Sequence, residues 1–82
     1  MYLQNKYTRW YYSIIDRAQS RTLSGYKERH HIIPRSLGGS NQKNNIVNLT
    51  GREHFICHWL LTKMTIDQHR QKMILVLMKL EN

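Results

Sequence analysis

The sequence predicts an α+β fold: a two-stranded antiparallel hairpin, a helix packed on it, and one flanking helix on either side. Three observations predict it. Apolar and aromatic residues recur at three- and four-residue spacing over residues 3–19. Two short extended stretches, Tyr26–Ile33 and Ile46–Leu49, enclose a loop rich in Gly and Asn. Two Thr residues, Thr50 and Thr65, each precede a Glu or Gln by three positions, the pattern that opens a helix.

Taken in order, the first helix spans residues 3–19, with Leu3, Tyr7, Trp10 and Tyr11, Ile14 and Ala18 on its apolar stripe. Ser20–Gly25 is a polar break. The aromatic side chains of this helix could stack on bases, but their helical spacing is better explained as core and its border. The first strand, Tyr26–Ile33, stops at Pro34, which lacks a backbone donor and biases its predecessor toward extended geometry. Ser36–Asn45 contains Gly38-Gly39 and three Asn, so it reads as a loop. After the second strand, Thr50 and Glu53 form a capping box for a helix on which Ile56, Leu60 and Met64 make one apolar line and Phe55 and Trp59 another. Thr65 and Gln68 form a second box, opening a helix over residues 66–80. Its segment Met73–Met78 is apolar all round and needs cover on every side. Within this chain only the first helix is expected to supply much of that cover, so the segment points to a homodimer contact or a chain shortened at its C-terminus.

At 82 residues the chain has room for one domain, 1–82, with its core at 26–64. So small a core is marginal, and a bound metal would help to hold it. The formal net charge is +8, from 13 Lys and Arg against 5 Asp and Glu, spread along the chain without a basic tail. That excess favours a polyanionic partner such as DNA, RNA or an anionic membrane. The single cysteine, Cys57, excludes an internal disulfide and fits a reducing compartment. Met1–Trp10 is polar and mixed, unlike a secretory signal, and the longest apolar run is far too short to span a membrane. The expected location is cytoplasmic, with no membrane partner.

The chemistry rests on histidine. His54 and His58 are four apart on a helix, an advance of about 6 Å and slightly more than one turn, so both rings leave one face. This suits two imidazoles on one metal ion. Cys57, three from His54, is a rival ligand. His30 and His31 are adjacent on a strand and point to opposite faces, which suits two roles better than joint chelation.

The order of these features carries more weight than any one of them. His-His on a strand is followed by Pro, a Gly-Gly loop, Asn45, a short strand, and a capped helix with His-x3-His. Over roughly residues 26–62 the chain resembles the HNH nucleases, the ββα-metal or His-Me finger group. The matching residues are ERHHIIPRSLGGSN at 28–41, NNIVNL at 44–49 and EHFICHW at 53–59. The stretch HFICHWLLTKM also looks like small HNH proteins of tailed bacteriophages, which would put the chain in a bacterial host cell. The Cys-x2-Cys pairs that bind a separate structural zinc in many members are absent.

The resemblance implies a ββα-metal core in which the second helix binds metal. In the branch with three His ligands, such as the nuclease colicins, the matching positions make His30, His54 and His58 the metal ligands and His31 the general base. Asn45 then pins the loop and helps to orient that base, and Glu28 falls at an acidic position that supports the site. One divalent cation is implied. Three neutral imidazoles favour Zn, Ni, Mn or Co over Mg, which prefers oxygen ligands.

Phosphodiester hydrolysis needs a water deprotonated in line with the leaving oxygen, and an imidazole of ordinary pKa, about 6.5, suits that task. The expected activity is metal-dependent DNA endonuclease cleavage, as a nick or a double-strand cut, leaving 5′-phosphate and 3′-hydroxyl ends. Arg35 and Arg52 flank the site in sequence and are the expected phosphate contacts, with Lys43 a weaker candidate that is better read as a solvated charge. Two other classes compete. In one, His30, His54, His58 and Cys57 close a structural zinc site in a non-catalytic nucleic-acid-binding module. In the other, the chain is a structural or regulatory partner of a larger phage or mobile-element machine. A water-free shell including Cys57 distinguishes the first, and lack of cleavage with every divalent ion the second.

Overall fold

A computed structural model describes residues 1–80 and has the expected α+β architecture. Its elements are α1 (Lys6–Gln19), β1 (Glu28–His31), β2 (Ile46–Leu49), α2 (Gly51–Met64) and α3 (Asp67–Leu80), with single 3₁₀ turns at Arg35–Leu37 and Lys43–Asn45 between the strands. Helix α2 is the central element. It carries α1 on one side, α3 on another, and the hairpin across its N-terminal half.

Helix α1 starts later than the apolar spacing predicts, because Asn5 caps it by accepting from the Thr8 amide at 3.0 Å. The residues ahead of it serve a different end. The Leu3 amide donates to the Met64 carbonyl at 2.8 Å, and Asn5 Nδ2 donates to the Lys63 carbonyl at 3.1 Å. The opening segment thus satisfies carbonyls that the last turn of α2 would otherwise leave unpaired. The buried line of α1 is Thr8, Tyr11, Ile15 and Ala18, and Trp10 points outward.

The strands pair antiparallel, Glu28 with Leu49, Arg29 with Asn48, His30 with Val47 and His31 with Ile46. Directly opposed residues share a face. Glu28, His30, Val47 and Leu49 therefore face α2, while Arg29, Asn48, His31 and Ile46 form the outer face. Strand β1 is shorter than expected at both ends. Beyond His31 the backbone of Ile32 still donates to the Asn45 carbonyl at 2.9 Å, but at Ile33 the Asn45 side chain takes over as partner. Tyr26 and Lys27 find no partner in the ladder, because β2 stops at Leu49 and Thr50 turns to cap α2.

The Thr50–Glu53 capping box forms in full, with Glu53 N donating to Thr50 Oγ1 at 3.1 Å and Thr50 N to Glu53 Oε1 at 2.9 Å. Behind it Cys57, Leu60, Leu61 and Met64 are buried, Ile56 is half-buried, and Phe55 and Trp59 lie at the exposed border. The second box does not form. Thr65 is extended and its hydroxyl donates back to the Leu61 carbonyl at 2.8 Å, so it closes α2 instead of opening α3. The cover for Met73–Met78 also differs from expectation. It comes from α2, which buries Met73 and half-covers Val76, while Leu75 and Met78 stay exposed.

Candidate metal centre

The hairpin and α2 bring three imidazoles together. His30 projects from the inner face of β1 onto the face of α2 that carries His54 and His58. The three rings lie edge to face, with centroids 5.3 Å (His30–His54), 5.0 Å (His30–His58) and 4.8 Å (His54–His58) apart. One nitrogen from each ring lies within 4.8 Å of the others.

Hydrogen bonds select the nitrogen that each ring can offer. The Tyr11 hydroxyl donates to the Ile32 carbonyl at 2.7 Å, so its oxygen is left to accept from His30 Nε2, also at 2.7 Å. His30 then carries its proton on Nε2 and presents a lone pair at Nδ1, which is buried without a hydrogen-bond partner. His54 Nδ1 lies 2.7 Å from Glu28 Oε1, an acceptor-only carboxylate oxygen, which leaves Nε2 of His54 free. His58 Nδ1 is, like His30 Nδ1, buried and unpartnered. Unpaired buried nitrogens are costly in an empty interior but are what a cation needs. The donor set therefore fits one divalent metal ion.

The charge states agree. Burial first, then the neighbouring His58, His54 and His31, push the His30 pKa down to about 2. Burial and His54 push His58 down to about 4. Both rings are neutral at physiological pH. Glu28 accepts from the Tyr26 hydroxyl and from His54, and these bonds hold its carboxyl below the usual range. It stays ionised behind His54.

His31 sits apart from this group, on the outer face of β1. Its Nε2 is 2.8 Å from Asn41 Oδ1. Asn45 makes no hydrogen bond to His31. Its side chain instead fastens the connecting loop: Oδ1 accepts from Ile33 N at 2.9 Å, and Nδ2 donates to the carbonyls of Ile33 at 3.0 Å and Ser40 at 2.9 Å. Fixing Ser40 places Asn41 next in the chain. The two glycines make this crossing possible. Gly38 takes a φ of 95°, and a Cβ on Gly39 would lie 1.7 Å from the Ile33 carbonyl oxygen.

A cleft of about 250 Å³ opens over the site, lined by His31, His54, His58, Arg29, Arg35 and neighbouring residues. Ligand face, His31 and two guanidinium groups thus share one opening. Arg35 lines this opening. Lys43 lines a separate cleft beside β2. Arg52 is exposed on the first turn of α2 and lines neither cleft. Cys57, the rival ligand, is outside the histidine group. It faces the apolar core, fully buried, where burial pushes its thiol up to about 12.

Three contributors escape the sequence reading. Tyr11 reads as helix core, and only the fold shows its hydroxyl against His30. Asn41 reads as one of several loop Asn residues. Arg29 precedes the His pair, and strand alternation places it on the same face as His31.

The chain is similar to curated proteins of Enterobacteria phage T4. It is 58% identical over 59 residues to "Probable mobile endonuclease E", an alignment covering 71% of this chain and 42% of that protein. It is 46% identical over 63 residues to "Probable mobile endonuclease D" and 43% identical over 63 residues to "Probable mobile endonuclease C", in each case over 71% of this chain. Those alignments cover 24% and 30% of the two relatives, so the chain spans less than half the length of the proteins it matches. No protein-family model matches the chain, and no solved structure does.

Proposed function

We propose that this chain is the metal-binding catalytic domain of a DNA endonuclease of the HNH, or His-Me finger, type. The observation that carries the proposal is the convergence of three imidazoles, two with buried unpartnered nitrogens, beside a cleft that also holds His31. The T4 relatives, whose names include endonuclease, support the same reading.

In this mechanism His30, His54 and His58 hold one divalent ion (Zn, Ni, Mn, Co or Mg), and Tyr11 and Glu28 orient the rings of His30 and His54. Bound there, the ion would supply Lewis-acid stabilisation of charge on the phosphate and on the leaving 3′ oxygen. His31 is the general base. Its Nε2 proton is engaged by Asn41, so Nδ1 is the nitrogen available to take a proton from water. Asn45 acts at one remove, by fixing the loop that carries Asn41. Arg35 and Arg29 neutralise phosphate at the cleft. Attack by the deprotonated water, with departure of the 3′ oxygen, leaves 5′-phosphate and 3′-hydroxyl ends.

The test is incubation of supercoiled plasmid with the protein in EDTA and then with each divalent ion in turn. Nicked or linear plasmid that appears only with an ion is expected. A protein that binds the ion yet leaves plasmid intact under every condition overturns the proposal in favour of a non-catalytic module.

A further inference from the structure

We infer that the outer face of the β1–β2 hairpin is a second contact surface for the DNA backbone, leading from the metal cleft to a basic cleft on the far side of the sheet. This inference takes its substrate class from the proposed function, but it concerns binding and not cleavage.

The second cleft, of about 380 Å³, lies between the end of α1 and strand β2. Its charged residues are Arg21, Lys27 and Lys43, joined by the polar side chains of Gln19, Thr22 and Asn48. Arg21 is held by Glu53 in a two-pronged ion pair, so it brings no free charge. Among the described residues Lys27 and Lys43 have no carboxylate partner, and no carboxylate lines either cleft. Among the described residues the two glutamates are both engaged, Glu28 by Tyr26 and His54 and Glu53 by Arg21.

The two clefts are joined across the ladder. Arg29 lines the first and Asn48 the second, and these residues are directly opposed on the outer face. Both are exposed. The surface therefore runs His31 and Arg35, Arg29, Asn48, then Lys27 and Lys43, with cations at both ends and in the middle. Neighbouring strands lie about 4.8 Å apart, and a two-stranded ribbon is narrow enough to lie against a DNA groove. Cations spaced along such a ribbon would fix the register of the duplex by phosphate contacts that carry no sequence information.

The test is fluorescence anisotropy of the full chain with a labelled DNA duplex in EDTA, over a series of salt concentrations. The Lys27→Gln/Lys43→Gln variant is compared with wild type and with Lys6→Gln/Lys79→Gln, which loses the same charge away from both clefts. Each phosphate contact contributes about 0.9 to the slope of log affinity against log salt. The hairpin variant should lose about tenfold in affinity and about 1.8 in slope, and the control variant much less. Equal losses in the two variants, or none in the hairpin variant, overturn the inference. The assay reads no cleavage, so failure of the nuclease proposal would appear in the plasmid assay and leave this result standing.

Discussion

The Tyr11 hydroxyl stands 2.7 Å from His30 Nε2 while donating its own proton to the Ile32 carbonyl. One core tyrosine thereby fixes the tautomer of a candidate metal ligand. Tyr11→Phe keeps the ring in the core but leaves His30 Nε2 without an acceptor. Loss of such an outer partner costs about 10- to 100-fold in metal affinity. Titration calorimetry with zinc should show a decrease in that range, and unchanged affinity would mean that His30 needs no orienting partner.

Asn41 makes a parallel prediction for His31, 2.8 Å away. Asn41→Ala should lower kcat by about tenfold or more with little change in KM, because it releases the proposed base and not a substrate contact. Nitrogen-15 NMR of the imidazoles gives a second readout. His31 should be predominantly Nε2-protonated in the wild type and mixed in the variant. Identical His31 spectra would remove Asn41 from the mechanism.

Gly39 is the tightest point of the loop, since any Cβ there would meet the Ile33 carbonyl. Gly39→Ala must move the backbone away and loosen the Asn45 bonds to Ile33 and Ser40. A loss of about 1–3 kcal/mol in chemical denaturation is expected, with cleavage lowered further because Asn41 shifts with the loop. Gly25→Ala is the contrast, since it carries a positive φ but meets no neighbour within 4 Å. It should destabilise without a comparable loss of cleavage in the folded protein.

The pair Arg21–Glu53 predicts an acid limb of stability. The Arg21 hydrogen bonds, with help from the cap at Thr50, hold Glu53 at about 2, below its ordinary 4.5. A lowered folded-state pKa means that this stabilisation is complete above about pH 4.5 and is lost as pH falls toward 2. Solvent screens part of this contribution. Glu53→Gln, which can keep the capping box, should melt lower than wild type at neutral pH and converge with it near pH 2. A constant gap across that range would show that the charge of Glu53 contributes nothing.

The parts of the site that were legible in the sequence are those set by local geometry. The spacing of His54 and His58 places both on one helix face, and the Thr50–Glu53 cap fixes where that helix begins. Strand alternation separates His30 from His31. What was not legible depends on distant contacts. Tyr11 lies 19 residues from His30, and a core position says nothing about what its hydroxyl meets. Lys43 falls on the far side of the sheet because a 3₁₀ turn precedes β2. The apparent box at Thr65 fails because its hydroxyl has a nearer acceptor in the turn before it. A helix period identifies the apolar face of α2, but not that Cys57 turns to the core while its neighbour His58 turns to the site.

The central claim is a division of labour between His58, which holds the ion, and His31, which moves a proton. Zinc affinity and plasmid cleavage measured together on His31→Ala and His58→Ala test it most directly. His31→Ala should bind zinc as the wild type does while cleavage falls by about 10²- to 10⁴-fold, and His58→Ala should lose zinc affinity along with cleavage. Cleavage at the wild-type rate by His31→Ala, or wild-type zinc affinity in His58→Ala, would contradict it.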